Sequence, residues 1–416
     1  MVKNIVKFAV LVGATLGVCS AKAGSYQLND YSVTGLGRSY AGQGIMGDDY
    51  SAIAFNPAGM TLMERSGVQQ TFNMINLRAD VDGLDPNHAG KHKKMNFWQP
   101  VPAGFAQYNV NDRLMIGLGI YAPFGLKTQY DSGWYGSDAA ILSKLNIVDF
   151  NLSAAYKLTE HWSIGASAIL RYIYGRMTNS LSTVGANVNF NVHGWTQTGS
   201  LGVMYEVDKN TRFGLSYRLR SAQRAKGHFK VEHSAVNYLN GTYTVHANPD
   251  LPESVALSAY HRYQDFGFSG TARWTHWTSS FPAFTVRSDW PGFNATEHQK
   301  KTDYRYRNSW TLTGGVDYYY CKNLTFRFGG GWDESPAHDA SRRTIRIPDN
   351  DRWWMSVGAS YMKDNWQFDV GYAHMIAKTA KATEDKGVPA LGIQPVHVKY
   401  KNMQTHILGV QVQYKF

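Results

Sequence analysis

The feature that most constrains this fold is an alternation of apolar and polar residues that runs to the last residue. In residues 408–416 every second position is Leu, Val, Tyr or Phe, and the positions between are Gly, Gln or Lys. A period of two predicts a β-strand with one apolar and one polar face. The pattern recurs in 212–220 and 367–372, where Arg or Asp alternates with aromatic and aliphatic residues.

Repetition of this pattern predicts a sheet that closes on itself. Clear runs lie at 114–120, 150–158, 164–174, 201–207, 255–263, 310–320, 324–332 and 353–361, with weaker strands near Val68, Phe97 and Phe268. We count about fourteen strands, and an even number of antiparallel strands closes without an edge. In lipid every backbone polar group must be paired internally, which closure achieves. The predicted fold class is therefore all-β, a transmembrane antiparallel β-barrel.

Composition agrees with a barrel better than with several soluble domains. Tyr (26), Trp (12) and Gly (40) are abundant, as in barrels with aromatic girdles. No apolar run approaches the roughly 20 residues of a spanning helix. The formal charge of +11 is scattered, so no nucleic-acid partner is expected. The cluster Lys91, His92, Lys93 and Lys94 is interpreted as a solvated loop that could attract lipopolysaccharide or fatty carboxylates.

The links between predicted strands alternate in length and so indicate an orientation. Short polar turns occur at Asn111-Asp112, Glu160-His161, Asp208-Lys209-Asn210, Lys322-Asn323 and Asp364-Asn365. The alternate links are long: 80–96, 130–144, 291–303, 333–351 and 377–397. Barrels of this class place short turns in the periplasm and long loops outside the cell.

The N-terminus has the three regions of a secretory signal peptide, predicted for residues 1–23. Lys3 and Lys7 precede an apolar stretch, which small residues follow, so the mature chain is expected to begin at Gly24. Lipoprotein processing at Cys19 is the alternative, disfavoured by the bulky Val18. Cleavage leaves Cys321 alone, which excludes an intramolecular disulfide.

Residues 24–65 do not alternate and are rich in glycine. One interpretation is a flexible periplasmic leader. The other is a plug inside the barrel, which would stop so wide a cylinder from leaking.

Motifs in this segment and beyond it resemble those of the FadL family of outer-membrane long-chain fatty acid transporters. They are Tyr26-Gln27-Leu28-Asn29-Asp30, Gly35-Leu36-Gly37-Arg38, Asp48-Asp49, Asn56-Pro57-Ala58, Tyr205-Glu206-Val207-Asp208-Lys209-Asn210, Leu251-Pro252-Glu253, Thr275-His276-Trp277, Asp333-Glu334-Ser335-Pro336 and Ile347-Pro348-Asp349-Asn350-Asp351-Arg352. The resemblance implies an N-terminal hatch with short helices at 24–65 and a fourteen-stranded barrel at 66–416. It further implies capture of a long-chain fatty acid or other hydrophobic molecule at extracellular loops, followed by lateral release through a gap in the barrel wall.

One break in the strand pattern is a candidate for that gap. The third strand meets Pro123, Phe124 and Gly125, and proline cannot donate to a ladder. The break either opens the wall or lies at its rim. The resemblance implies that Gly125 forms an inward kink and that Asn56, Pro57 and Ala58 pack near it, so these four residues are the predicted gate.

Ligand-binding residues are also implied by the resemblance. Tyr26 falls where the family has an aromatic residue touching the ligand, with packing in the hatch as the alternative. Asn179 falls at one place where the family has a basic side chain, and either Thr285 or Arg287 falls at another. Arg176 could substitute, although it could equally be a solvated loop residue.

Other function classes need features that the sequence lacks or leaves open. No nucleophile elbow accompanies the 14 histidines, so an enzyme is not expected, and neither is a cofactor or metal. An adhesin or phage receptor remains possible because long loops suffice for it, as does a transporter of neutral or aromatic hydrocarbons. The expected partners are the hydrophobic cargo, outer-membrane lipid and lipopolysaccharide, and the barrel-assembly machinery that recognises a terminal Phe416. The chain is expected to be a monomer.

Overall fold

The computed structural model describes residues 27–84, 89–280, 283–291, 299–384 and 395–416. Nineteen strands occur in these residues, numbered here in chain order. They are β1 (Gly67–Gly83), β2 (His92–Asn109), β3 (Leu114–Gln129), β4 (Leu142–Lys157), β5 (Trp162–Leu181), β6 (Ala186–Glu206), β7 (Thr211–Arg218), β8 (Ala225–Glu232), β9 (Gly241–Ala247), β10 (Ser254–Tyr263), β11 (Phe266–Thr275), β12 (Ala283–Ser288), β13 (Gln299–Asp303), β14 (Ser309–Cys321), β15 (Leu324–Asp333), β16 (Arg352–Lys363), β17 (Trp366–Ala377), β18 (Ala380–Glu384) and β19 (Val396–Lys415).

Fourteen of these strands form a closed antiparallel barrel, which confirms the predicted fold class. The wall is closed by pairing of β1 with β19, from Gly67 opposite Lys415 to Gly83 opposite Val398. The remaining strands, β8, β9, β12, β13 and β18, extend the wall at the long-loop end.

Burial alternates along each wall strand, as the sequence pattern predicts. On β5 the side chains of Ile164 and Leu170 are exposed, whereas those of Ile169, Arg171 and Ile173 are buried. One face of the strand therefore meets lipid and the other faces the lumen. Among the described residues, no helix has the length and apolarity that crossing a bilayer requires.

The loops are shorter than predicted because several strands continue past the apolar band. The link predicted at 80–96 is largely strand, since β1 reaches Gly83 and β2 begins at His92. His92 and Lys94 pair with Asp82 and Asp80 across the ladder, so the expectation of a solvated loop for this basic cluster is wrong for 92–94. Cross-strand pairing of opposite charges stabilises strand here.

Short helices precede the barrel. They are α1 (Val33–Gly37), α2 (Ala52–Phe55) and a 3₁₀ turn at Pro57–Leu62. Helix α1 contacts β15, β16, β17 and β19, and the 3₁₀ turn contacts β3, β4, β5 and β6. Residues 27–66, called the N-terminal segment below, therefore lie inside the barrel. Further short helices occur at Ser182–Val184, Asn237–Leu239, α3 (Trp277–Ser280) and Ala340–Arg342.

Candidate functional site

Glycines in the wall allow the N-terminal segment to pack directly on the barrel backbone. A β-carbon at Gly165 of β5 would lie 2.5 Å from the backbone nitrogen of Ala58, and one at Gly214 of β7 would lie 2.9 Å from Nδ2 of Asn56. The same Nδ2 donates to the carbonyl of Val203 at 3.3 Å. Any larger side chain at Gly165 or Gly214 would therefore displace the segment.

An ionic network holds the opposite side of the segment. Arg38 pairs with Asp48 and donates to Asp317 of β14 at 3.1 Å, while Arg327 of β15 lies 3.2 Å from Asp48. Burial alone would raise the pKa of Asp48, but the guanidinium groups of Arg38 and Arg327 outweigh burial and hold it well below the usual range. Asp48 is therefore charged at neutral pH.

In a second carboxylate of the segment, that of Asp30, the pKa is raised instead of lowered. Burial raises the pKa of Asp30 to about 6, although a hydrogen bond from the Tyr40 hydroxyl, 2.8 Å long, partly offsets it. The backbone carbonyl of Asp30 accepts from Asn73 of β1 at 2.7 Å. Protonation of Asp30 therefore occurs at mildly acidic pH while the segment is docked.

The wall is unpaired between β2 and β3 over its upper part. These strands pair only from Asn109 opposite Met115 to Gly104 opposite Ile120. Strand β3 keeps pairing with β4, but with a register shift between Tyr121 and Phe124. The sheet therefore has a seam above Ile120, where β2 and β3 do not pair with each other.

Three prolines explain why this seam does not close. Pro100 and Pro102 lie on β2 and Pro123 lies at the register shift of β3, and each lacks the backbone donor that a ladder needs. Pro100 and Pro102 have the same parity, so both missing donors face the same neighbour. Because the ladder to β1 continues through both residues, that neighbour is β3.

The inner edge of β3 is covered by the start of the N-terminal segment. Gln27 forms an antiparallel bridge with Phe124, and the Leu28 amide donates to the carbonyl of Pro123 at 2.8 Å. Higher in the seam, the Lys127 ammonium lies 5.0 Å above the ring of Phe97 on β2. The segment thus occupies hydrogen-bonding groups that β2 leaves unmatched.

A buried ion cluster supports the break in β3. The Asp149 carboxylate accepts from Arg171 at 2.6 and 2.8 Å and from Arg218 at 3.0 Å. Arg218 also donates to the Tyr121 hydroxyl and to the carbonyl of Ala54 in the segment. Wall, break and segment therefore share one network.

Above this ion network, buried apolar side chains from several strands and loops pack into one apolar cluster. They include Phe124, Leu126, Ile147, Ile173, Phe190, Phe229, Trp277, Trp290, Tyr306 and Ile347. The two indole nitrogens donate to Ser309 and to the carbonyl of Leu239, so their rings contribute an apolar surface with satisfied polar atoms. An apolar cluster of this kind suits an apolar ligand.

A buried arginine from the loop between β15 and β16 lies close to this region. Arg346 donates to Ser143 at 3.0 Å, to the carbonyls of Ala139 and Leu142, and to Asn179 at 3.4 Å. These hydrogen-bond acceptors are all neutral, while the Glu384 carboxylate interacts with Arg346 electrostatically. Burial lowers the pKa of Arg346, yet an arginine stays charged at any physiological pH.

Comparison with known proteins assigns this chain to a protein family. Residues 14–416 match the family model described as outer membrane protein transport protein (OMPP1/FadL/TodX). The chain belongs to this family. It is therefore an outer-membrane transport protein and not an enzyme.

Relatives of this family align along nearly the whole chain. A long-chain fatty acid transport protein of Salmonella typhi is 27% identical, covering 91% of this chain and 93% of the relative. Outer membrane protein P1 of Haemophilus influenzae is 26% identical, covering 96% and 97%. A solved Pseudomonas aeruginosa FadL homologue has a TM-score of 0.84 at 22% identity, covering 95% and 100%, and the Ralstonia pickettii toluene transporter TbuX has 0.65 at 19%, covering 92% and 100%.

The residues that the sequence grouped as a gate have the following contacts. Asn56 and Ala58 contact β5, β6 and β7, and the 3₁₀ turn that begins at Pro57 also contacts β3 and β4. Gly125 lies on β3 beyond the register shift, pairs regularly with Asn146 of β4, and is not among the described glycines with a positive φ. An inward kink at this glycine therefore stays a prediction.

The predicted ligand residues are likewise divided. Tyr26 lies outside the described residues, next to Gln27. Asn179 contacts Arg346, which the sequence did not single out. Arg176 and Arg287 are exposed, and Gly175 and Ser288 beside them are buried, so both arginines lie on the outer face of the wall.

The sequence carries a signal for two of the missed residues but none for the third. Pro100 and Pro102, two residues apart inside an alternating run, identify an interrupted edge and could have been found by the argument applied to Pro123. Arg346 has no such signal, because its partners lie on other strands and loops.

Proposed function

We propose that this protein carries long-chain fatty acids, or amphipathic molecules of similar shape, inward across the outer membrane. The ligand binds in the apolar upper lumen and leaves through the seam between β2 and β3. The observation that carries the route is the loss of pairing above Ile120, with the N-terminal segment bonded to Pro123 and Phe124 in place of β2.

Arg346 favours an acidic cargo over a neutral hydrocarbon. The described hydrogen bonds of this buried guanidinium go to neutral oxygens, so a ligand carboxylate can add a charge-assisted bond beside the electrostatic interaction with Glu384. Relatives described as long-chain fatty acid transport proteins support this assignment. Transport of aromatic hydrocarbons, as in the toluene transporter, is the second candidate, since the fold is shared.

The route follows from the chemistry of the cargo. Each methylene removed from water contributes about 0.8 kcal/mol, so an acyl chain favours an apolar lumen and then the membrane interior over an aqueous pore. The N-terminal segment acts as the plug in this scheme. Detachment of Gln27 and Leu28 from β3 opens the seam sideways.

A reversible crosslink tests this route. Gln27→Cys with Phe124→Cys joins bridged residues, whose spacing suits a disulfide. The background carries Cys321→Ser, because that thiol is free and exposed. The oxidised protein should bind labelled oleate but not support its uptake by cells, and reduction should restore uptake.

A matched control uses a bridge of the same kind elsewhere. Ser221→Cys with Leu251→Cys joins another isolated antiparallel pair, which does not involve the N-terminal segment. Its oxidation should leave uptake unchanged. Uptake at the wild-type rate by the fully oxidised 27–124 variant would refute release through the seam. Failure of oleate to bind the wild-type protein would instead refute the proposed cargo, leaving an adhesin or phage receptor to be tested by cell binding.

A further inference from the structure

The exposed residues on the outer face of β5 indicate where this strand meets the membrane interface. Trp162, Ile164 and Leu170 are exposed, and Tyr172 packs against Trp195 of β6 with ring centroids 4.8 Å apart. Aromatic residues at the limit of an apolar band mark the membrane interface. Arg176 lies two outward positions above Tyr172, roughly 10 Å higher along the tilted strand. Its guanidinium is therefore at the level of lipid headgroups.

Two rows of positions with outward parity cross the wall at this height, and one member, Asn146, is buried. Their members are paired strand to strand: Lys127, Lys144, Arg176, Asn191, His228 and Thr244 in the upper row, and Asn146, Tyr174, His193, Lys226, His246 and Arg287 in the lower row. The rows hold five lysines or arginines, three histidines and no Asp or Glu. We call them the basic rows.

The long-loop end of the opposite side carries three cation–acid pairs. There Arg307 lies 3.2 Å from Glu334, Lys378 lies 3.0 Å from Asp351, and His276 lies 2.6 Å from Glu253. On the face with the basic rows, Lys230 is paired with Glu232 at 2.7 Å, but the rows themselves contain no acidic residue.

We propose that the basic rows bind the phosphate groups of lipopolysaccharide in the outer leaflet. Several cations in two parallel rows match a headgroup that carries more than one phosphate, and the apolar band below them matches its acyl chains. This assignment also accounts for Arg176 and Arg287 lying outside the lumen.

A single carboxylate fits these rows poorly. The charges extend across strands from β3 to β12, far beyond the reach of one fatty acid headgroup, and none of them faces the apolar lumen. A fatty acid on its way through the protein would also contact the rows only transiently. The competing idea is that they collect cargo electrostatically, and the experiment below separates the two.

The test measures binding of bisphosphorylated lipid A to the purified full-length protein by native mass spectrometry in mild detergent. The patch variant combines Lys144→Gln, Arg176→Gln and Lys226→Gln. The matched control combines Lys209→Gln, Lys322→Gln and Lys363→Gln, three exposed lysines at or beside the short turns. Both variants change the net charge equally, and heat-modifiable gel migration verifies that both barrels are folded.

The patch variant should bind lipid A roughly 100-fold more weakly, about fivefold for each charge removed, whereas the control stays within about twofold of wild type. Lipid A without phosphates should bind wild type and patch variant equally. Arg176→Gln alone should lose about fivefold, which keeps the test decisive if the triple variant does not fold. Unchanged lipid A binding by the folded patch variant would overturn the proposal. A loss confined to oleate binding would also overturn it and assign the rows to cargo collection.

Discussion

Asp149→Asn should be among the most damaging conservative substitutions in the lumen. The side chain keeps its size but loses the charge that serves Arg171 at 2.6 and 2.8 Å and Arg218 at 3.0 Å. Arg171 is 1% exposed and Arg218 12%, so water compensates little. Removing one partner of a buried ion cluster costs about 3–5 kcal/mol, and we expect the lower end because Arg218 keeps its hydrogen bonds to Ala54 and Tyr121. About 3 kcal/mol corresponds to a roughly 100-fold smaller folding equilibrium constant.

The assay is urea unfolding of the barrel in lipid vesicles, followed by tryptophan fluorescence. Asp369→Asn is the matched control, because Asp369 is as buried but accepts hydrogen bonds from hydroxyl and amide groups of Ser360, Gln367 and Gln411. Its loss should be about 1.5 kcal/mol or less. Equal unfolding free energies for the two variants would refute the argument that Asp149 neutralises a supporting ion cluster at the break in β3.

Three further predictions concern the ligand, the plug and its pH dependence. Arg346→Gln should weaken oleate binding by roughly 10- to 100-fold, which corresponds to the loss of a charge-assisted hydrogen bond. Binding of the matching fatty alcohol should stay within about twofold of wild type. Equal losses for both ligands would exclude a carboxylate contact. Deletion of residues 27–65 should raise single-channel conductance sharply, and an unchanged trace would mean that the segment does not block the lumen. Docking of the segment should strengthen as pH falls from about 6 towards 4, because the raised pKa of Asp30 makes the docked state bind a proton more tightly. This added stability is lost as pH rises through about 6. The gain is at most about 3 kcal/mol, Asp30→Asn should abolish it, and hydrogen exchange of the segment at pH 5 and 7.5 measures it.

The sequence by itself determined the wall of this protein. Alternation with a period of two is a local property, and in residues 408–416 or 212–220 it specifies which side chains meet lipid without any knowledge of neighbours. It also predicted the break at Pro123, because the missing backbone donor of proline is a property of the residue itself. The lengths of loops were overestimated, since paired charges such as Asp82 and His92 extend strands that the apolar pattern no longer marks.

Only the tertiary structure decided how these parts act together. Arg346 and Asn179 are 167 residues apart, and Gln27 meets Phe124 across the lumen, contacts that no local pattern records. The same is true of the basic rows: Arg176 and Arg287 look like isolated arginines until strand register aligns them with Lys144, Lys226 and His246. Periodicity fixes the face on which a side chain lies. Its neighbours depend on register and closure, which are set by the pairing of strands distant in sequence.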